Sequence, residues 1–210
     1  MSEVEIIKEK IFSACRERFL REGFAKTTVD EISSDLAISK KTFYKYFASK
    51  EDLVQQIMER FLGNVRTNVE RILLSDKSAV EKLSEVISMM ATNAGHLMPM
   101  FGQDIKKRIP QLWKHIEDFR RQRISEVITR LIKQGVAEGT MRPEMNHRVF
   151  LMAVLATIDG VMQPHILAEE SFSLSDALKE IISIFFNGAL TEQGREQFTQ
   201  LQHLEHSSTT

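Results

Sequence analysis

From Ile6 to about Leu20 the apolar residues Ile7, Ile11, Ala14, Cys15 and Phe19 recur every three to four positions with charges between them. That period predicts an amphipathic helix, which Gly23 stops. Thr28 followed by Glu31 has the spacing of a capping box and predicts a second helix, about Val29 to Leu36. Ser39 opens a third, Lys40 to Phe47, and Ser49 with Asp52 opens a long fourth. Ser78 with Glu81 starts another helix, and breaks are expected at Pro99, Pro110, 135–143, Pro164 and Gly188. No stretch alternates as a strand does. The fold class is all-α: a three-helix N-terminal domain over 1–48, joined by a long helix to a helical domain over 49–194. A polar tail, 195–210, is expected to fray.

Two segments are apolar on nearly every side, 147–167 and 174–190. A helix of that kind must be buried all round, and one chain of 210 residues cannot wrap both. A homodimer covers them economically, with Phe150, Val154, Ile158, Ile182 and Phe185 as the expected dimerisation residues.

Composition narrows the function. A hydrophobic content of 42% is that of a folded globular chain, and one cysteine, Cys15, forms no intrachain disulfide. The N-terminus has no apolar signal region and no stretch is long enough to span a membrane, so a cytoplasmic location is expected. The net charge of −1 is unevenly spread. Residues 1–50 carry ten Lys/Arg against eight Asp/Glu, and within 36–50 the only charges are Lys40, Lys41, Lys45 and Lys50. Such a patch suits phosphates, although a solvated helix face has the same composition.

The stretch VDEISSDLAISKKTFYKYFASKEDL reads as helix, four-residue turn, helix. Val29, Ile32, Leu36, Ile38, Phe43 and Phe47 supply a small core, which leaves Lys40, Lys41, Thr42, Tyr44, Lys45 and Tyr46 on the surface. These are donors of the kind that contact base edges and phosphates. Lys41, Thr42 and Tyr46 are the expected base readers. Lys40, Lys45 and Lys50, with Thr28 and Ser39 at helix starts, are the expected phosphate contacts.

This segment resembles the DNA-binding domain of the TetR family of transcription regulators. The matching residues are Ile11, Cys15, Phe19, Gly23-Phe24, Thr28-Val29, Ile32, Ile38-Ser39, Thr42-Phe43-Tyr44, Tyr46-Phe47, Ser49-Lys50-Glu51 and Leu53. Two positions depart from the family pattern. Ala37 stands where the turn usually has glycine, costing on the order of 1 kcal/mol if that residue is left-handed, and Lys41 stands where a small residue is common. The resemblance implies a ligand-binding and dimerisation domain in the C-terminal half. It further implies a repressor released from a near-palindromic double-stranded DNA operator when a small, largely apolar effector binds.

For that effector, Met89, Met90, Phe101, Trp113, Phe119 and Met162 are the candidate lining, though for any one of them ordinary core packing is the readier explanation. Asp159, Gln163 and His165 sit on or after an apolar helix and need partners. No residues have metal-ligand spacing in an ordered segment, no phosphate loop or nucleophile motif occurs, and no cofactor or catalytic residue is expected. A second reading keeps the DNA-binding dimer but removes the effector, leaving control to a protein partner or to abundance.

Overall fold

The computed structural model describes residues 3–161, 163 and 171–207. The helices, in chain order, are α1 (Glu3–Glu22), α2 (Val29–Asp35), α3 (Lys40–Tyr46), α4 (Lys50–Leu74), α5 (Ala79–Arg108), α6 (Pro110–Ala137), α7 (His147–Val161), α8 (Leu174–Ala189) and α9 (Glu192–Ser207). Among the described residues the one β feature is an isolated bridge between Met141 and Leu190. The fold is all-α: an N-terminal helix-turn-helix followed by a helical C-terminal domain.

The chain forms two compact units, residues 1–64 with 96–117 and residues 65–95 with 118–210. This division differs from the expected boundary at 48/49. The physical reason is a core that draws on distant sequence: Ile105, Leu112 and Trp113 pack in the same cluster as Phe12, Phe43 and Phe47. In that first unit Phe19, Phe24, Phe43 and Phe47 are fully buried and pack edge-on or tilted, Phe12 against Phe47 at 5.4 Å and Phe19 against Phe24 at 5.7 Å. Offset and edge-to-face contacts of this kind stabilise aromatic pairs beyond their buried area. Cys15 lies in this core, where burial and the nearby Asp35 push its thiol up to about 12, so it is an inert packing residue.

In the second unit α7 and α8 pair through Phe150, whose ring meets Phe185 at 6.0 Å and Phe186 at 5.4 Å. The segment after α6 turns at Gly139, φ 74°, and bonds back to the α8–α9 corner through Arg142 N–H to Ala189 O and Thr191 N–H to Thr140 O, both 3.0 Å. Gly194 is needed there, since a Cβ would sit 2.1 Å from the Thr140 carbonyl oxygen.

Three expectations need revision. Pro99 lies within the span of α5 and does not end it. The segment expected to fray is α9, because Phe198 is buried and Thr191 caps the helix by accepting from Gly194 N–H at 3.2 Å. The expected dimer residues Phe150, Val154, Ile158 and Ile182 are buried inside the subunit, and Phe185 is half-buried against Phe150. Those side chains are already used for the α7–α8 contact. Exposed apolar side chains on the same helices lie one or two positions away, at Val149, Met152 and Ile184.

Candidate nucleic-acid interface

The helix-turn-helix is held by local hydrogen bonds that the sequence signals well. The Thr28 hydroxyl accepts from Glu31 N–H, while the Glu31 carboxylate accepts from Thr28 N–H at 2.8 Å. The Thr28 N–H and hydroxyl hold the Glu31 carboxyl below its ordinary range. Ser39 caps α3, accepting from Thr42 N–H at 3.0 Å, and Ser49 accepts from Asp52 N–H at 3.0 Å. The Asp52 carboxylate then takes Ala48 N–H at 2.9 Å. Between α2 and α3 the chain turns at Ala37, φ 51°, with Ile38 N–H bonded to Ser33 O at 2.9 Å. The turn therefore keeps its left-handed residue without glycine, and carries the steric cost of a Cβ there.

On α3, Phe43 points into the core; at 100° per residue, positions 41 and 45 stand about 160° from it. Lys41 and Lys45 are accordingly exposed, as are Ser39, Lys40 and Tyr44, whose exposure is 52%. Thr42 is half-buried and shares its hydroxyl with Ser39 at 2.9 Å. Tyr46 is half-buried against the core, with the Lys45 ammonium 5.6 Å from its ring centre. Lys40 pairs with Asp30 across the α2–α3 surface. A groove of about 480 Å³ opens beside this face, lined by Thr28, Lys40, Tyr44, Ser49 and Lys50 among others. Its walls bring together the start of the 25-residue helix α4, hydroxyl groups and two lysines, together with the carboxylates of Asp30, which pairs with Lys40, and Glu51.

Two residues have roles that spacing does not reveal. Lys50 donates to Phe24 O at 2.9 Å and Thr27 O at 2.7 Å and lies 4.4 Å from the Phe24 ring centre. It pins the α1–α2 turn to the start of α4, a duty additional to the phosphate contact expected of it. Arg18 pairs with Glu22, one turn on, and with Glu31 and Asp35 of the α2 region, so it ties α1 to α2. Only its i,i+4 partner was legible in the sequence.

The expected ligand residues that are described fall in both units. Trp113 belongs to the core of the first unit, while Met89, Met90 and Phe119 are half-buried in the second. The Phe101 side chain and Met162 lie outside the described residues, as does His165. Asp159 has its partners: it accepts from Arg120 and Arg121 of α6. Among the described residues no group of three or more His, Cys, Asp or Glu could hold a metal, and no helix is long and apolar enough to cross a membrane.

Comparison with known proteins agrees with this geometry. Residues 11–57 match the model of the bacterial regulatory proteins of the tetR family. The uncharacterized HTH-type transcriptional regulator YvaF of Bacillus subtilis is 21% identical over 178 residues, 84% of this chain and 92% of its own. The HTH-type transcriptional repressor KstR2 of Mycolicibacterium smegmatis is 25% identical over 142 residues, 66% of this chain and 69% of its own. The crystal structure of a transcriptional regulator from Saccharomonospora viridis in complex with choline superposes with a TM-score of 0.70 at 18% identity, covering 90% of this chain and 99% of that one. The helix-turn-helix lies within those matched residues and the chain has the fold of such regulators, so its N-terminal domain is that of the TetR family of transcription regulators.

Proposed function

We propose that this regulator is a homodimeric repressor that reads a near-palindromic operator through α3 and leaves it when a small molecule binds the C-terminal domain. The carrying observation is the lysine-rich outer face of α3, which carries no acidic side chain. Lys41 and Lys45 point away from Phe43, Thr42 flanks them, and no carboxylate lies on the helix. Lysine donors match the two acceptors that guanine presents in the major groove. Thr28, Ser39, Lys40, Tyr44 and Lys50 are the phosphate contacts in this reading, with the groove beside them as a backbone seat, and Tyr46 supports Lys45 from the rim.

Dimerisation is supported by the outer faces of α7 and α8. Val149, Met152 and Ile184 are each at least 60% exposed, and Gly160 and Gly188 on the same helices would meet nothing if given a Cβ. An apolar stripe with small residues admits close approach of a two-fold copy, and isologous pairing covers it without a further partner. The repressor sense is supported by the name of KstR2, and a small-molecule effector by the choline-bound neighbour. An effector acts by preferring the conformer with the wrong head spacing; about 1.4 kcal/mol of preference changes operator affinity tenfold.

Binding to labelled operator as a function of salt tests the reading. Lys41→Ala should weaken affinity and alter which half-site bases are preferred, by about 1 to 3 kcal/mol at the position read. Unchanged affinity and preference in both Lys41→Ala and Lys45→Ala would remove α3 from the interface.

A further inference from the structure

The second unit holds a cationic cluster that DNA reading does not use. On α6 residues 119–123 run FRRQR. Arg120 Nη2 donates to Asp159 Oδ1 of α7 at 2.6 Å, and Arg121 Nη2 donates to Asp159 Oδ2 at 2.7 Å. One carboxylate thus answers two guanidinium groups, and one positive charge is left over.

The two arginines are not equivalent. The Arg121 side chain is 61% exposed, so water solvates it, whereas that of Arg120 is 13% exposed. The Nε and Nη1 groups of Arg120 are buried and have no hydrogen-bond partner. Three residues on, and therefore on the same side of α6, Arg123 repeats the pattern. Its Nη1 donates to Glu126 at 2.7 Å, its guanidinium lies 5.9 Å from the Phe119 ring centre, and its Nε is buried without a partner. Glu126 is shared further with Arg130 at 3.7 Å.

A buried donor without an acceptor is costly, more so on a charged group, and arginine cannot escape by losing its proton. The acidic side chains paired with these arginines, Asp159 and Glu126, are each already shared by two cations. An anion with two or more oxygens would satisfy the open donors and neutralise the leftover charge.

We propose that Arg120, with Arg123 beside it, receives the anionic group, a carboxylate or a phosphate, of the effector sensed by the C-terminal domain. Phe119 lies beside the pair and offers an apolar surface to the rest of the ligand. This deepens the effector reading above and rests on it, and it replaces the largely apolar effector expected from sequence with an amphiphilic acid.

Thermal unfolding of the full-length protein at constant ionic strength tests it, with octanoate, octyl phosphate and 1-octanol as probes. At least one anion should raise the midpoint in a concentration-dependent way while 1-octanol does not, because a ligand of the native state stabilises by mass action. The anion that acts identifies carboxylate or phosphate as the source. The shift should disappear in Arg120→Gln and persist in Arg121→Gln, whose side chain shares Asp159 from the solvent side. If Arg120→Gln fails to fold, Arg123→Gln takes its place, and a weakened shift is expected there. Equal shifts with 1-octanol, or anion shifts unchanged in Arg120→Gln, overturn the proposal. Operator binding without probe separates the two readings: a chain that binds operator but shows no anion shift loses the anion site alone, and a chain that binds no DNA in any form fails as a regulator whatever the anions do.

Discussion

In α3 one buried phenylalanine, Phe43, is set among lysines, whereas in α7 ten of the fifteen side chains are apolar. On α3 there is a single way to turn: Phe43 goes in and Lys41 and Lys45 come out. On α7 the composition says that the helix is covered and leaves open by what. Val154 and Ile158 are buried within the subunit while Val149 and Met152 are exposed, although the four differ little in hydrophobicity. Burial follows from apolar content; orientation follows from contrast between faces. Helix α3 has that contrast and the expected dimer helices lack it.

Two substitutions break this comparison most sharply. Val154→Asp puts an unpaired charge in the subunit interior and should cost about 3 to 5 kcal/mol, abolishing the helical circular dichroism near ambient temperature. Ile184→Glu, on the exposed stripe, should keep its helical spectrum and sediment as a monomer. If Ile184→Glu stays dimeric, the stripe is not the interface.

In the first unit, Lys50→Met loses two hydrogen bonds from a cation to carbonyl oxygens, which should lower stability by about 2 kcal/mol in urea denaturation. DNA affinity should fall with it. Lys41→Ala should stay within about 0.5 kcal/mol of wild-type stability, yet weaken operator affinity by about 1 to 3 kcal/mol through the lost base contact. Equal stability in the two variants would show that the Lys50 clamp is dispensable.

Ala37→Gly sharpens the account of the turn. Relief of the left-handed alanine, offset by the larger chain entropy of glycine, should raise stability by about 0.5 to 1 kcal/mol, read as a higher urea midpoint.

The smallest effect concerns acid. Because Glu31 is held below its ordinary value, its stabilisation is complete above the usual carboxylate range and is lost as pH falls through the lowered folded value. Glu31→Gln should therefore flatten the fall in stability below about pH 4, leaving the remaining carboxylates to supply it.

Much of the first unit was legible because its signals are local. The caps at Thr28, Ser39 and Ser49, the buried Phe43 and Phe47, and the left-handed position at Ala37 all lie within a few residues of their partners. For Trp113 the sequence left core and ligand contact both open, for the opposite reason: its place beside Ile105 in the core of Phe43 and Phe47 joins residues about seventy positions apart, and no short-range period encodes that. The same holds for Lys50 with Phe24 O, for Arg18 with Asp35, and for Arg120 with Asp159. Of these, Asp159 alone gave a signal, as a carboxylate on an apolar helix that had to be paired.

Selection of bound sequences from random double-stranded DNA by the full-length protein tests the central claim most directly. The account predicts enrichment of a near-palindromic site with two guanine-containing half-sites about one helical turn apart or somewhat more, and loss of a preferred base in each half-site with Lys41→Ala. Recovery of a single half-site, or of no sequence above background, would contradict a dimer that reads DNA through α3.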